Sequence, residues 1–112
     1  MVKNILPEKG DIVLVDLNPT RGHEQAGFRP VVVLSNVVFN DFTKMMLVCP
    51  ISSNEKEFPT HYILKNSQKV RGAVLCEHIR SIDYSCRKIK FVEKTDPEDL
   101  LNIIMLSESF ID

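Results

Sequence analysis

The sequence predicts a small, mainly β domain in which antiparallel strands form a strongly bent barrel and the chain ends in one α-helix. Two observations support this fold class. Many short apolar segments of strand length are separated by polar turns, and the only convincing helical pattern lies at the C-terminus. The chain has 112 residues, of which 44% are apolar and 26% are charged. This size and composition predict a single folded domain over residues 1–112.

The first two predicted strands flank a long polar loop. Residues 12–17 alternate loosely between apolar and polar and are rich in β-branched side chains, which is typical of a strand. Residues 18–28 form a polar segment with two glycines. Residues 30–34 are a continuous apolar run, as expected for a strand buried on both faces. Arg29 precedes a proline and is therefore biased to extended geometry, so we expect it to enter this strand directly.

Further short apolar runs predict the rest of the sheet. They are bounded by polar turns rich in Ser, Asn, Lys and Gly. These candidate strands are residues 45–51, 62–64, 73–76, 79–82 and 88–92.

The C-terminal segment predicts a helix over residues 97–111. Its start carries Thr-Asp-Pro-Glu at 95–98, which provides a capping side chain, a proline in the first turn and early acidic residues. The apolar stripe of this helix is expected to comprise Leu100, Ile104, Met105 and Ile111.

The net charge of −1 is distributed unevenly along the chain. Residues 1–92 contain 13 Lys and Arg against 9 Asp and Glu, whereas the last twenty residues contain Lys94 against six acidic residues. Most of the chain is therefore mildly basic, which is compatible with phosphate binding.

Several function classes find no support in the sequence. No segment approaches the roughly 18 apolar residues that a membrane span needs, and the N-terminus lacks the apolar core of a signal peptide. The three cysteines show no paired spacing and are expected to be free thiols in a reducing cytoplasm. Widely separated histidines and the absence of a Cys-x-x-Cys motif predict no metal site, and no phosphate-binding glycine loop predicts a nucleotide cofactor. We therefore expect a cytoplasmic protein without membrane or cofactor.

The polar loop concentrates groups that suit RNA cleavage. Arg21, His23, Glu24 and Arg29 bring two cations, one acid and one imidazole close to one strand end. Cleavage without a metal requires proton transfer from the 2′-OH and to the leaving 5′-oxygen, together with stabilisation of the phosphorane charge. A guanidinium suits the last task because its planar fork binds two phosphate oxygens. On composition alone, the alternative that these charges are ordinary solvated surface stays open.

Residues 10–35 resemble the MazF/PemK family of toxins, which are ribosome-independent mRNA interferases. The similarity rests on the order and spacing of several motifs and continues through most of the chain. These motifs are Gly-Asp at 10–11, Val-Asp at 15–16, Asn-Pro-Thr-Arg-Gly at 18–22, Glu-Gln-Ala-Gly at 24–27, Arg-Pro at 29–30, Asn40, Pro-Ile-Ser-Ser at 50–53, Gly-Ala-Val-Leu at 72–75, Glu77 and Ser-Ile at 81–82.

The resemblance implies a fold, a reaction and partners. It implies an SH3-like antiparallel barrel of the MazF/PemK/CcdB-like toxin fold, assembled as a homodimer. It implies sequence-specific, metal-independent cleavage of single-stranded mRNA that leaves 2′,3′-cyclic phosphate and 5′-OH ends. The implied partner is a MazE-like antitoxin whose acidic disordered tail competes with RNA for the same groove.

The resemblance also implies the residues of the catalytic site. Arg29 matches the catalytic arginine of the family, and Glu24 matches its loop glutamate. Ser52 stands where relatives usually carry a catalytic threonine; it keeps the hydroxyl but lacks the methyl group that restricts the rotamer. The alternatives are a surface ion pair between Arg29 and Glu24 and a turn-capping role for Ser52 or its neighbour Ser53.

RNA contacts are expected from the loop and from three later segments. His78 replaces a usual glutamine, so the base preference is expected to differ, and Asn40 has an alternative structural role. The expected RNA-contact residues are Thr20, Arg21, Gly22, Gln25, Asn40, Glu77, His78 and Arg80. Further candidates for phosphate contacts are Lys65, Lys69, Arg71, Arg87, Lys88 and Lys90.

Two other function classes compete with the nuclease. The same barrel also serves CcdB-like toxins that inhibit DNA gyrase, which would depend on the end of the C-terminal helix at residues 110–112. A catalytically silent RNA-binding module is the third possibility. Arg29, Ser52 and the Glu-Gln-Ala-Gly loop favour the nuclease.

Overall fold

The computed structural model describes residues 6–18 and 27–111, which form seven strands and two α-helices around a short 3-10 turn. The elements in chain order are β1 (Asp11–Asp16), β2 (Phe28–Val33), α1 (Val37–Thr43), β3 (Met45–Ser52), β4 (His61–Ile63), β5 (Ala73–Leu75), the 3-10 turn (Cys76–His78), β6 (Arg80–Asp83), β7 (Ile89–Lys94) and α2 (Pro97–Glu108).

The strands pair antiparallel and form an open sheet. Their order is β4-β5-β3-β2-β1-β7, and β6 pairs with the first half of β3. β3 is therefore the central strand, with β2 along one edge and β6 and β5 along the other. Within the described residues β4 and β7 are not paired with each other. The predicted mainly β fold with a C-terminal helix is confirmed. The sheet is open, because no hydrogen bonds join its two edge strands in this part of the chain.

Both faces of the sheet are buried, which explains the continuous apolar runs in β2 and β3. One face carries a cluster that includes Val13, Val31 and Val48, and the other carries a cluster that includes Val32 and Ile103 of α2. Side chains alternate between the two faces along each strand. Each fully buried Val or Ile contributes about 1.5–3 kcal/mol relative to exposure, so the two clusters hold the sheet rigid.

Helix α1 was not predicted, because its Val-Val-Phe start favours a strand. The Asn36 side chain caps the helix by accepting a hydrogen bond from the Phe39 backbone N–H at 2.9 Å. The helix ends at Lys44, which adopts a left-handed conformation with φ 60°. Asparagine is a preferred N-cap residue, so Asn36 is a local signal from which the helix could have been found.

Helix α2 begins as predicted, with the Asp96 carboxylate accepting from the N–H groups of Glu98 and Asp99. Its apolar stripe differs from the prediction. Ile103 is the fully buried apolar residue of the helix, whereas Met105 and Ile111 are exposed. Leu100 packs against the core as predicted, and Ile103 and Leu106 pack there in place of Met105 and Ile111.

The segment after β5 decides where the expected RNA-contact residues lie. The predicted strand over residues 73–76 ends at Leu75, and Cys76–His78 form a 3-10 turn. This turn places Glu77 and His78 at the edge of the sheet next to β4.

Candidate active site

Arg29 and Ser52 occupy matching positions on neighbouring strands. Arg29 is the second residue of β2, and Ser52 is the last residue of β3. The Val31–Pro50 pair is the last one between β2 and β3, and Arg29 and Ser52 each lie two residues beyond it. If the register continued unchanged past this pair, Arg29 would stand opposite Ser52 with both side chains on one face of the sheet.

The two side chains differ in exposure. Arg29 is exposed, whereas Ser52 is half-buried. The Ser52 Oγ accepts a hydrogen bond from the Asn54 backbone N–H at 3.2 Å, which is the turn-capping role considered above. A hydroxyl that accepts in this way still has its O–H to donate. The geometry is therefore compatible with both roles of Ser52.

The rest of the expected catalytic loop lies outside the described residues. Glu24 and the loop residues Thr20, Arg21, Gly22 and Gln25 lie in residues 19–26, outside the described residues. The two ends of this segment are held together beside Arg29. The Leu17 N–H donates to the Gly27 carbonyl at 2.9 Å, and the Gly27 N–H donates to Asn18 Oδ1 at 3.1 Å.

Two arginines bind the chain just before this loop. The Arg87 Nη1 donates to the carbonyls of Asp16 and Asn18 at 2.6 and 2.8 Å. The Arg80 Nη1 lies 3.5 Å from the Leu17 carbonyl. Arg80, an expected RNA-contact residue, therefore also supports the loop from β6. Both guanidiniums keep further N–H donors for an anion.

A cavity of about 500 Å³ opens beside this end of the sheet. Phe28, which precedes Arg29, contributes an aromatic ring that is 56% exposed. An exposed ring beside cationic side chains can bind an unpaired base and its phosphate. The cavity is lined by Asp16, Asn18, Phe28, Cys86, Arg87 and Lys88.

Glu77 and His78 form a second polar cluster together with His61 of β4. The Nε2 of His61 lies 2.9 Å from Oε2 of Glu77, and the Nε2 of His78 lies 3.9 Å from the same oxygen. Burial acts to raise the pKa of Glu77, but the hydrogen bonds from its own backbone amide and from His61 outweigh it and lower the pKa. Glu77 is thus held as a carboxylate.

A second cavity of about 500 Å³ adjoins this cluster. Its polar and aromatic walls include His61 and an exposed Phe58 ring. The full lining is Glu57, Phe58, Pro59, His61, Tyr62, Ile63 and Lys65.

The expected RNA contact of Asn40 is corrected to a structural role. The side chain is fully buried. Its Oδ1 accepts from the Ser35 hydroxyl at 2.5 Å, and its Nδ2 donates to the carbonyls of Pro7 and Ser35 at 2.9 and 3.1 Å. The Tyr84 hydroxyl donates to the Asn40 carbonyl at 2.7 Å. Asn40 therefore joins α1 to the segment before β1 and has no surface to offer RNA.

Other expectations concern metals, membranes and thiols. Among residues 6–18 and 27–111 no group of three His, Cys, Asp or Glu side chains is arranged to hold a metal ion. None of the helices in this part of the chain is long and apolar enough to cross a membrane. Cys49 and Cys76 are buried free thiols, and Cys86 is an exposed one.

The participation of His61 was not predicted. It is 16 positions from Glu77 in the sequence, and no local motif connects the two residues. Only the pairing of β4 with β5 brings them together.

Comparison with known proteins identifies close relatives of this chain. The family model described as PemK-like, MazF-like toxin of type II toxin–antitoxin systems matches residues 8–105. The endoribonuclease toxin MazF of Escherichia coli K12 is 36% identical over 100 residues, which cover 89% of each chain. The endoribonuclease PemK of Escherichia coli is 35% identical over 102 residues, covering 88% of this chain and 76% of the relative.

Solved structures share the fold. The crystal structure of MazF from Deinococcus radiodurans superimposes with a TM-score of 0.90 at 31% identity and covers 96% of this chain and 98% of its own. MazF in a MazE–MazF complex from the same organism gives a TM-score of 0.84 at 31% identity, with 96% and 97% covered.

Proposed function

This chain belongs to the PemK-like, MazF-like toxin family of type II toxin–antitoxin systems, and we propose that it is an endoribonuclease toxin that cuts single-stranded mRNA. The observation that carries this proposal is the matching placement of Arg29 and Ser52 on β2 and β3. A guanidinium and a hydroxyl on neighbouring strands of a rigid sheet are the groups that phosphodiester cleavage by the RNA 2′-OH uses.

Arg29 is proposed to stabilise the transition state. The 2′-oxygen loses its proton and attacks phosphorus, while the 5′-oxygen leaves and gains a proton. The products are a 2′,3′-cyclic phosphate and a 5′-OH. Negative charge builds up on the phosphorane oxygens, and the guanidinium of Arg29 stays protonated and binds two of them. Its exposed position on β2 lets an RNA strand reach it.

Ser52 and Glu24 are the remaining proposed catalytic residues. The Ser52 O–H is able to donate to a phosphate oxygen while its oxygen accepts from Asn54. Glu24 is proposed either to take part in proton transfer or to orient Arg29.

RNA contacts are proposed in two groups. The first comprises Phe28 and Arg87, which line the first cavity, Arg80, which contacts the Leu17 carbonyl, and the proposed loop contacts Thr20, Arg21, Gly22 and Gln25. The second comprises Glu77 and His78. Single-stranded RNA is read through unstacked bases and their edges, and these two groups provide an aromatic ring and polar side chains for that purpose.

The proposed partners follow from the family and from the charge distribution. Relatives have been solved as MazE–MazF complexes. We propose a MazE-like antitoxin whose acidic disordered tail covers the basic groove and excludes RNA. The protein is proposed to act as a single-domain homodimer in the cytoplasm, without a metal or cofactor. The relatives described above are named endoribonucleases or MazF, so the gyrase alternative is not carried forward.

The test is cleavage of a long synthetic single-stranded RNA in EDTA by the wild type and by Arg29→Ala, followed by analysis of the product ends. Cuts at a few recurring motifs with cyclic-phosphate ends, lost in Arg29→Ala, would support the proposal. No cleavage by the folded wild type across diverse RNAs would overturn it, and inhibition of gyrase supercoiling would then be measured.

A further inference from the structure

His61 reaches out of β4 to one of the proposed RNA-contact residues. Its Nε2 lies 2.9 Å from Oε2 of Glu77. Both side chains are partly buried, with exposed fractions of 18% for His61 and 34% for Glu77. A hydrogen bond to an ionised carboxylate is shorter and stronger than one between two neutral groups.

The backbone fixes both partners of this contact. His61 pairs with Leu75 in the β4–β5 ladder, and its N–H donates to the Phe58 carbonyl at 2.9 Å. The Cys76 N–H, next to Glu77, donates to the Thr60 carbonyl at 3.2 Å. The Phe58 ring packs on the imidazole at 5.2 Å between centroids. Backbone pairing therefore fixes the position of both residues, and the Phe58 ring restricts the orientation of the imidazole.

The chemistry of the contact determines which groups stay available. An ionised carboxylate only accepts, so His61 donates through Nε2. The Nδ1 is buried without a hydrogen-bond partner. The tautomer with its proton on Nε2 avoids burying an unpaired N–H at that position. On Glu77 the contact with His61 uses Oε2, and the backbone amide of Glu77 and the Thr60 hydroxyl also act on this carboxylate. Its two oxygens offer about four acceptor sites, so a further donor can bind.

Glu77 therefore has the properties of a base-reading side chain with a fixed orientation. A carboxylate accepts from the exocyclic amino groups of cytosine, adenine or guanine, which uracil lacks. The adjoining cavity of about 500 Å³ offers an exposed Phe58 ring on which a base can stack and the Lys65 cation for a phosphate.

We propose that His61 is a positioning residue, which holds the Glu77 carboxylate in the orientation that selects an amino-bearing base in the RNA motif. This inference rests on the proposed function and adds to it the residue on which base selection depends. His61 acts through Glu77, so its removal changes the preference between motifs more than the rate of the chemical step.

The experiment maps cleavage sites on one long synthetic RNA and then measures kcat/KM on short RNAs that differ from the motif by one base. Four variants are compared with the wild type: His61→Phe, His61→Gln, Glu77→Gln and the double variant His61→Phe/Glu77→Gln. Tyr84→Phe is the matched control, because it removes one hydrogen bond from a buried tyrosine, to the Asn40 carbonyl, without touching His61 or Glu77. Circular dichroism establishes that each variant is folded.

The expected result is a loss of preference at one motif position. His61→Phe should lower the ratio of kcat/KM for the amino-bearing base over uracil by about tenfold, the loss expected for one hydrogen bond to a charged group. His61→Gln keeps a donor near the Nε2 position and should restore most of the ratio. The double variant should match Glu77→Gln alone, because the effect of His61 passes through Glu77. Tyr84→Phe should leave the ratio unchanged.

Four outcomes would overturn the inference while the nuclease function stands: an unchanged ratio in His61→Phe, an equal loss on all RNAs, additive losses in the double variant, or a motif composed of uracil alone. A folded wild type that cuts no RNA would overturn the proposed function, and this inference with it.

Discussion

Gly72 packs directly against the backbone of Ser52, and a Cβ placed on Gly72 would lie 2.1 Å from the Ser52 carbonyl oxygen. Ser52 also pairs with Ala73, the next residue. Position 72 therefore has room only for glycine, and the close contact of Gly72 with Ser52 fixes the end of β3 that carries the proposed catalytic hydroxyl.

Gly72→Ala is expected to destabilise the protein by at least about 3 kcal/mol, because the clash is with backbone and φ is +142°. Gly27→Ala is the matched control, since φ is +85° but no atom lies within 4 Å of its Cβ. That variant should lose only about 1 kcal/mol through backbone strain. Urea unfolding of both variants measures the difference, and equal losses would contradict the packing argument.

Arg29→Ala is expected to lower kcat for RNA cleavage by about 100- to 1,000-fold, because a preorganised charge is removed from the phosphorane. Arg29→Lys should recover only part of this, since an ammonium lacks the planar fork. Arg29 is exposed, where even an ion pair contributes little, so the free energy of unfolding should change by less than about 1 kcal/mol. Lys9→Ala, an exposed cation in the turn before β1, serves as control and should cut at the wild-type rate.

Ser52→Ala separates the two roles of this hydroxyl. A catalytic hydroxyl predicts a loss of about 100-fold in kcat or more, and Ser52→Thr should keep most of the activity. A hydroxyl that only caps the turn through Asn54 predicts a small loss of stability with kcat unchanged. Single-turnover cleavage at saturating enzyme distinguishes the two.

Tyr62 and Asp99 connect β4 to α2 through a hydrogen bond of 2.6 Å, and Asp99 also accepts from the N–H groups of Lys65 and Asn66. Asp99→Asn should cost about 2 kcal/mol or more, because a buried acceptor of three hydrogen bonds loses its charge. Tyr62→Phe should cost about 1 kcal/mol. Chemical denaturation at pH 7 measures both, and a larger loss in Tyr62→Phe would contradict the central role of Asp99.

The same pair predicts a pH effect. Burial, followed by the hydrogen bond to Asp99, raises the pKa of Tyr62 to about 12. An unfolded tyrosine ionises near pH 10. Between pH 10 and 12 the unfolded state therefore releases a proton that the folded state keeps, and stability falls as the pH rises. The fall should be shallower in Tyr62→Phe. Parallel curves for the two proteins from pH 9 to 12 would refute this.

Asn40→Ala is expected to destabilise the protein by about 3 kcal/mol, because the buried amide makes three hydrogen bonds within the fold. Cleavage motif and kcat/KM should stay those of the wild type at temperatures where the variant is folded. A changed cleavage motif would contradict the structural role of Asn40 and support an RNA contact instead.

The sequence by itself determined the fold class and the candidate catalytic residues. Apolar runs such as 30–34 and 45–51 predict strands because burial on both faces requires continuous hydrophobicity. The Asp96 cap and following proline predict the start of α2, because they are local backbone chemistry. The motif around Arg29 carried the family resemblance, since spacing within one loop and strand is a property of the chain alone.

Only the tertiary structure decided what depends on distant partners. Asn40 has a structural role because α1 places its side chain against the segment before β1, where it donates to the Pro7 carbonyl. His61 joined Glu77 because β4 pairs with β5. Arg29 and Ser52 each lie two residues beyond the Val31–Pro50 pair because of the register of β2 and β3, which is set by packing of both faces of the sheet. Such relationships follow from long-range contacts, and no local pattern of residue types encodes them.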